Sequence, residues 1–307
     1  MSSEPSEQNA TSSVKEDPTY LELHAYSGAT KHMGGLNTTK ELSERCGIDE
    51  HTYLLEVGCG TGATARYLAQ KLGCRVMGVD IRQSMIDQAR ERAARAGVEN
   101  KVEFRVADAT DLPFGDATFD VVLVESVTTF IEDKAAAIGE YARVVKPGGR
   151  VGLNEEIWHR TPVPPEIVEY VAFTWDVHAE IPTPEGWVEL LKDAGLTVDV
   201  ASPREYSPLT DLSEVARYGC RDFLHMLWRS AKLYFASPAF RKYMRERRRL
   251  PKGLWDYLGY ALLVGRKKYS RRLGMSLAGR SRRVSQSTAC PGIENRRPAH
   301  TALAGRL

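Results

Sequence analysis

The chain has 307 residues, of which 42% are hydrophobic and 27% are charged, and this composition favours one α/β domain with a helical addition over two equal domains. No apolar run approaches the roughly 18 residues that a membrane-spanning helix needs, and the Ser-, Glu- and Thr-rich start at 1–17 excludes a secretory signal. Five cysteines without metal-ligand spacing favour a reducing compartment, so we expect a cytoplasmic protein with no metal site.

Charge is unevenly distributed along the chain. Residues 266–307 contain eleven Lys and Arg against one acid, Glu294, which leaves the preceding part of the chain acidic. An acidic body argues against a nucleic-acid substrate, because binding of a polyanion depends on neutralising its phosphates. We expect a disordered N-terminal tail at 1–19 and a basic, disordered C-terminal tail at 269–307 that is solvated and binds neither RNA nor anionic lipid.

A glycine-rich turn is the most informative stretch. Leu54 to Ala63 is an apolar strand that ends in three alternating glycines, Gly58, Gly60 and Gly62, and then becomes helical. Because glycine has no Cβ, such a turn brings bare backbone against a ligand. Asp80 ends a second apolar stretch and could accept hydrogen bonds from both hydroxyls of a ribose. The glycine turn and Asp80 together predict a ligand that contains adenosine. They leave the rest of the ligand open, since the spacing also fits a dinucleotide.

Glu56 narrows the choice of ligand. It lies two residues before Gly58 and puts a carboxylate at the mouth of the turn, where it suits a cationic ligand and disfavours a pyrophosphate. The following segments repeat the alternation of strands with helices, which predicts parallel pairing, right-handed crossovers and a ligand at the carboxyl ends of the strands. The predicted strands are 54–57, 74–79, a third ending at 106, 119–125 and 151–153, and the helices are 36–46, 64–72, 85–96 capped by Ser84, and 134–145 capped by Asp133.

Five motifs occur in a fixed order along this alternation. They are E-V-G-C-G-T-G at 56–62, V-D at 79–80, A-D-A-T-D-L-P-F at 107–114, F-D-V-V at 119–122 and K-P-G-G at 146–149. Over roughly 20–267 the chain resembles the class I S-adenosylmethionine-dependent methyltransferases, in particular the small-molecule branch that includes quinone-biosynthesis C-methyltransferases. The resemblance implies a doubly wound, mostly parallel, seven-stranded Rossmann-like sheet in one methyltransferase domain at 20–268.

The same resemblance implies a cofactor and its binding residues. S-adenosylmethionine would hold its methionine half on the glycine turn, its ribose on Asp80 and its adenine on Asp108 and Ala109. The segment from Tyr20 to Gly35 looks like the N-terminal lid of related enzymes, although an ordinary helix and linker with a solvated histidine fits equally. The predicted cofactor site consists of Glu56, Gly58, Cys59, Gly60, Gly62, Asp80, Ile81, Arg82, Asp108, Ala109, Glu125 and His32, with Tyr26 and Gly34 in the lid.

After the fifth strand the pattern changes. Residues 154–160 are expected to leave the sheet edge and lead into a proline-rich substrate cap at 158–184, with a helix at 166–180. A helix at 185–194 and a sixth strand at 196–200 follow. A helical insert at 209–249 precedes a seventh strand at 260–265, which is expected to pair antiparallel beside the sixth.

Apolar residues recur at helical spacing in the insert, so that one of its faces must be buried. The face could pack on the sheet edge or on the partner of a homodimer, or it could form an apolar roof over a bulky ring substrate. The basic end of the insert at 241–249 is expected to be solvated. The apolar residues are Tyr218, Phe223, Leu224, Met226, Leu227, Trp228, Leu233, Tyr234, Phe235 and Phe240.

These features predict transfer of a methyl group to a small, apolar or ring-containing molecule by in-line displacement. A base is needed only if the acceptor must lose a proton. Glu156 and His159 are the preferred candidates, followed by Glu125, and one of Glu155 and Glu156 must point away because neighbours on a strand face opposite sides. His178 and Tyr206 are further candidates. The alternatives are an RNA or protein methyltransferase that uses the basic tail, a non-catalytic adenosine-binding module and an NAD oxidoreductase.

Overall fold

The computed structural model describes residues 26, 32–206 and 220–269. The predicted N-terminal tail, most of the predicted lid, Tyr218 and the basic tail after Tyr269 lie outside the described residues. Within the described residues no helix is long and apolar enough to cross a bilayer.

Seven strands form one sheet in the order β3-β2-β1-β4-β5-β7-β6. The first five strands pair parallel, and β7 runs antiparallel between β5 and β6. The predicted doubly wound, mostly parallel seven-stranded sheet is therefore confirmed. The strands are β1 Tyr53–Val57, β2 Arg75–Asp80, β3 Val102–Val106, β4 Phe119–Glu125, β5 Val145–Trp158, β6 Leu196–Glu205 and β7 Leu258–Lys267.

Helices cover both faces of the sheet. Leu54 of β1 packs with Leu42, Leu68 and Ile86 on one face, while its neighbour Leu55 belongs to the core on the other face. This alternation follows from the two-residue period of a strand. In chain order the helices are α1 Gly35–Cys46, α2 Ala63–Lys71, α3 Gln83–Ala96, α4 Lys134–Val144, α5 Pro165–Trp175, α6 Pro184–Asp193, α7 Cys220–Ala236, α8 Pro238–Glu246 and α9 Leu254–Tyr257.

Two predictions about local structure were wrong. The chain does not leave the sheet at Asn154, because β5 continues to Trp158 and pairs with β7 over the whole of that stretch. Strands β3 and β4 are joined by residues 107–118 without a helix, so that the alternation is interrupted once. The pairing between β5 and β7 fixes which way each side chain at the end of β5 points.

The helix caps were predicted with mixed success. Asp133 caps α4 as predicted, since its carboxylate accepts a hydrogen bond from the backbone N–H of Ala136 at 2.9 Å. Ser84 does not cap α3, because that helix begins at Gln83 and Arg82 occupies the cap position without a side-chain hydrogen bond. The start of α3 therefore lies directly beside the end of β2.

Candidate functional site

A cavity of about 690 Å³ opens at the carboxyl ends of β1, β2, β4 and β5. One end is bounded by the glycine turn and the acids that follow β2 and β3. The other end is bounded by aromatic residues of α5 and of the segment before β7. The cavity thus joins the region where the sequence predicted a cofactor to a second, more apolar region.

The glycine turn forms one wall of the cavity. Gly58, Gly60 and Gly62 have φ angles of 69°, 52° and 71°, a left-handed conformation that favours glycine. A Cβ at Gly58 would overlap with the side chain of Val127, so this position also requires a close approach of two segments. Gly58, Cys59 and Gly60 line the cavity, whereas Gly62 faces Phe104 and supports the turn from behind.

Asp80 lies at the end of β2 and faces the turn. Its Oδ2 accepts a hydrogen bond from the backbone N–H of Gly60 at 3.0 Å, and its Oδ1 accepts one from the N–H of Arg82 at 3.0 Å. Burial raises the pKa of this carboxyl group, while the two hydrogen bonds oppose that shift. Ile81 and Arg82 continue the wall, and the Ile81 side chain is 65% exposed at the cavity.

Asp108 and Ala109 follow β3 and line the same end of the cavity. The Asp108 Oδ1 accepts hydrogen bonds from the backbone N–H and the hydroxyl of Thr110, both at 2.8 Å. These bonds lower the pKa of Asp108, so the group is held as a carboxylate. It is turned partly toward solvent, unlike Asp80.

Glu125, at the end of β4, joins three segments of the chain at the cavity wall. The hydroxyls of Thr39 in α1 and Thr64 in α2 donate to its carboxylate at 2.9 and 3.1 Å, and His32 Nε2 lies 3.5 Å from Oε2. The amide of Asn154 lies 3.2 Å from the other ring nitrogen of His32. His32 and Glu125 therefore both line the cavity, as predicted for the cofactor site, and they are held there by buried polar groups.

Glu155 and Glu156 face opposite sides of β5. Glu155 is fully buried and accepts hydrogen bonds from the backbone of Val127, Thr128 and Thr129 and from the Thr129 hydroxyl. Burial, with the charge of the adjacent Glu156, raises its pKa. Glu156 points into the cavity. Of the two neighbours, Glu156 is therefore the one on the cavity side of the strand, and Glu155 is the one that points away.

The two histidines proposed as bases do not reach the cavity. His159 Nε2 lies 2.8 Å from the carbonyl oxygen of Arg204, and the backbone N–H of His159 donates to Tyr257. The ring therefore packs over β7 beside β6. His178 is exposed and lies 3.0 Å from Asp176. Of the preferred pair, the structure brings only Glu156 to the cavity, and a base role for His159 has no geometric support.

Aromatic side chains form the roof over the second end of the cavity. The rings of Tyr206 and Trp255 stack with centroids 4.0 Å apart, and Trp175 lies 6.4 Å from Trp255. Tyr206 had been a candidate from the sequence, whereas the other members were missed. The roof residues are Tyr170, Trp175, Tyr206, Arg247, Leu250, Leu254 and Trp255.

Of the alternatives left open for the apolar residues of the insert, the roof over the substrate does not match the structure. None of those among the described residues lines the cavity, and Leu224, Trp228 and Phe235 of α7 are exposed. The roof instead comes from α5 and from residues 247–255, after α8. Trp255 and Tyr257, which lie shortly before the last strand, are the sequence signal for this part of the roof.

Comparison with known proteins supports the fold and the family. A methyltransferase-domain family model matches residues 55–153. An O-methyltransferase, cnsE, from Penicillium expansum is 30% identical over 196 residues, which cover 63% of this chain and 67% of that protein. Phosphoethanolamine N-methyltransferase 1 from Arabidopsis thaliana is 36% identical over 174 residues, or 56% of this chain and 34% of the relative. The MccD crystal structure superposes with a TM-score of 0.61 at 25% identity, covering 76% of this chain and 97% of MccD.

The chain belongs to the class I S-adenosylmethionine-dependent methyltransferases. S-adenosylmethionine is the cofactor of this family. The match with this chain spans about a third of the length of the phosphoethanolamine methyltransferase.

The cavity fits this cofactor in charge and in surface. Five carboxylates line it, against two arginines and His32, and this balance suits a sulfonium cation. The apolar side chains of Ile81 and Met85 lie beside Asp80, so that an adenosine could find both apolar contact and acceptors for its hydroxyls. Within 32–206 and 220–269, no group of three or more His, Cys, Asp and Glu could hold a metal ion.

Proposed function

We propose that the protein transfers a methyl group from S-adenosylmethionine to a small, apolar, ring-containing acceptor. The observation that carries this proposal is the continuity of one cavity between a glycine turn with flanking acids and a roof of aromatic rings. A cofactor at the first end and an acceptor at the second would share that space.

The proposed cofactor end consists of residues that bind and orient. Gly58 and Gly60 leave room for the close approach of the methionine half, and Glu56 would attract its ammonium group. Asp80 is suited to the ribose hydroxyls, and Asp108 with Ala109 to the adenine. When bound, S-adenosylmethionine supplies a methyl group on a positively charged sulfur that departs as a neutral thioether.

At the acceptor end, we assign orientation to Trp175 and Trp255 and proton removal to Glu156. The two indole rings, with centroids 6.4 Å apart, and Tyr206, which stacks on Trp255, offer flat contact surfaces to a ring. Glu156 lines the cavity and would accept a proton from a phenol or an activated ring carbon. Alignment of the reacting atoms in such a site supplies on the order of 7 kcal/mol or more.

For partners and location we propose a small-molecule acceptor, no nucleic acid and a cytoplasmic protein. The acidic lining of the cavity speaks against a polyanionic substrate. The free thiols of Cys46, Cys59 and Cys74 agree with a reducing compartment. A homodimer through the helical insert stays a prediction.

The test begins with calorimetric binding of S-adenosylmethionine to the full chain. The protein is then incubated with methyl-labelled cofactor and a cell extract divided into small metabolites, lipids, RNA and protein. We expect label in the metabolite or lipid fraction, and none with Glu156→Gln if the acceptor must lose a proton. Label confined to RNA or protein would contradict the proposed substrate class, and binding without transfer to any fraction would favour a non-catalytic module.

A further inference from the structure

Helix α7 forms ion pairs with the protein on one face and has several of its large apolar side chains on the exposed face. Asp222 is buried and pairs with Arg95 at 3.0 Å and with Arg66 at 3.3 Å, on α3 and α2. Arg229 donates to Gln88 of α3 at 3.2 Å. The helix is therefore attached to the domain by these ion pairs and hydrogen bonds together with the buried Leu233, which packs with Tyr243 of α8.

The opposite face of α7 is a continuous apolar stripe. Its members recur at intervals of three and four residues, and Leu224, Trp228 and Phe235 are 62%, 58% and 81% exposed. Isolated apolar residues on a surface are ordinary, but a contiguous patch of this kind marks an interaction site. The stripe consists of Leu224, Leu227, Trp228, Ala231, Tyr234 and Phe235.

The following helix presents positive charge beside the stripe. Between 241 and 249 the chain has six Lys and Arg and one acid, Glu246. Lys242 and Arg245 are exposed, while Arg241 donates to the backbone oxygens of Tyr234 and Phe235 at 2.9 and 3.0 Å. These contacts make the basic surface of α8 continuous with the C-terminal end of the stripe.

We propose that the outer faces of α7 and α8 dock the protein on an anionic lipid bilayer. A helix lying in the interface buries its apolar face at the boundary of the acyl chains, and neighbouring cations pair with acidic headgroups. Lys232, whose Nζ lies 5.3 Å from the centroid of the Trp228 ring, can extend its charge to the headgroups while its stem stays on the apolar surface. Trp228 itself is a residue type that favours this interface.

Charge decides between a bilayer and a second copy of the chain. A parallel contact between two stripes would bring the basic surfaces of two α8 helices toward each other, and like charges at an interface oppose association. An antiparallel contact would cover the stripe but would offer the basic surface of α8 only the apolar residues of the partner's stripe. An anionic bilayer satisfies the apolar stripe and the basic surface together. It is therefore the occupant that both observations favour.

The docking surface lies next to the proposed acceptor end of the cavity. Helix α8 ends at Glu246 and the chain continues at once into Arg247 and Leu250 of the roof, while the Tyr170 hydroxyl donates to the backbone oxygen of Arg247 at 2.7 Å. Resting on the proposed function, this proximity suits an apolar acceptor that enters from the lipid phase. The docking itself needs neither cofactor nor acceptor.

The test is flotation of the full chain with vesicles of phosphatidylcholine alone or mixed with phosphatidylglycerol. We expect the protein to float with the anionic vesicles and to be released by salt. Reversing two cations, Lys242→Glu with Arg245→Glu, should weaken partitioning by at least about tenfold. Trp228→Glu with Phe235→Glu should weaken it by a similar factor because the apolar face can no longer enter the interface.

Matched controls change exposed residues elsewhere. Lys71→Glu, at the end of α2, and Val168→Glu, on α5, should leave flotation unchanged. Circular dichroism and affinity for S-adenosylmethionine check that each variant is folded. In the unaltered chain, lipids with brominated acyl chains should quench tryptophan fluorescence, and Trp228→Phe should keep binding but lose most of the quenching.

Three results would overturn the proposal. The first is no flotation at low salt, and the second is flotation that survives both pairs of substitutions. The third is a concentration-dependent dimer, or an RNA complex, that the same substitutions abolish in a chain that binds no vesicles. Because the assay contains no cofactor or acceptor, failure of the proposed methyl transfer would leave its outcome unchanged.

Discussion

Glu125 Oε2 lies 3.5 Å from His32 Nε2, and both side chains are almost completely buried at the cavity wall. Thr39 and Thr64 donate to the same carboxylate, so one acid at the end of β4 ties down α1 and α2. We predict that Glu125→Ala weakens binding of S-adenosylmethionine by about tenfold or more, because it removes the carboxylate that joins Thr39, Thr64 and His32 and so loosens the wall. Calorimetric titration measures the change.

The control is Glu132→Ala, which removes an exposed acid a few residues further along the chain and should leave the affinity unchanged. Glu125→Gln keeps the shape and one acceptor oxygen, so it should retain most of the affinity. If Glu125→Gln binds as weakly as Glu125→Ala, the negative charge matters more than the hydrogen bonds, and Glu125 contacts the cation directly.

Asp80 offers a second test of the cofactor end. Asp80→Ala removes an acceptor from the backbone N–H of Gly60 and, on the proposed assignment, from the ribose. A lost hydrogen bond to a charged group costs about 1.5–3 kcal/mol, so the affinity for S-adenosylmethionine should fall on the order of tenfold to a hundredfold. Asp87→Ala, an exposed acid on α3, is the matched control. Equal affinities of the two variants would remove Asp80 from the binding site.

The residues predicted to bind the cofactor lie together in the structure because they follow strands that pair parallel. Glu56, Gly58, Asp80 and Asp108 belong to motifs at the carboxyl ends of neighbouring strands, and those ends meet at one edge of the sheet. Local sequence patterns therefore determine both the strands and the edge of the sheet at which the residues that follow them meet. Gly62 shows the limit of such a pattern, since the same motif contains a residue that faces the core.

The acceptor end could not be predicted in the same way. Tyr170, Tyr206 and Trp255 are far apart in the chain and meet only through the packing of α5 and α9 against the sheet. His159 failed for a related reason: its orientation depends on the register of β5 against β7, which no local pattern states. The apolar face of α7 was also mispredicted. Apolar residues at helical spacing usually face the core, but Leu224, Trp228 and Phe235 are exposed.

Glu156 provides the test of the chemistry. If it removes a proton from the acceptor, Glu156→Gln should lower turnover by about 10²–10⁴-fold while the affinity for S-adenosylmethionine stays the same. His159→Gln keeps a polar group near the backbone of Arg204 and should change turnover little, which makes it the control for the rejected base. Measurement of turnover under saturating cofactor separates these variants. Full activity of Glu156→Gln would mean that the acceptor needs no base, as for a nitrogen or thiol nucleophile.

The pair of glutamates also makes stability depend on pH. The pKa of Glu155 in the folded protein is raised above the ordinary 4.5 by burial and by the charge of Glu156. The folded state therefore binds this proton more tightly than the unfolded chain does. The resulting stability is fully present below pH 4.5 and is lost as the pH rises through the raised pKa.

Glu156→Gln removes the like charge and should lower the pKa of Glu155 in the folded state. Each pKa unit by which it falls corresponds to about 1.4 kcal/mol of folding free energy. The free energy of unfolding of this variant, relative to the unaltered chain, should therefore increase between about pH 5 and about pH 8. Urea denaturation across this range measures the difference. Glu166→Gln, an exposed acid on α5, should show no such trend. A difference between Glu156→Gln and the unaltered chain that stays constant with pH would mean that the two carboxylates do not titrate against each other, and that hydrogen bonds to Thr128 and Thr129 keep Glu155 ionised.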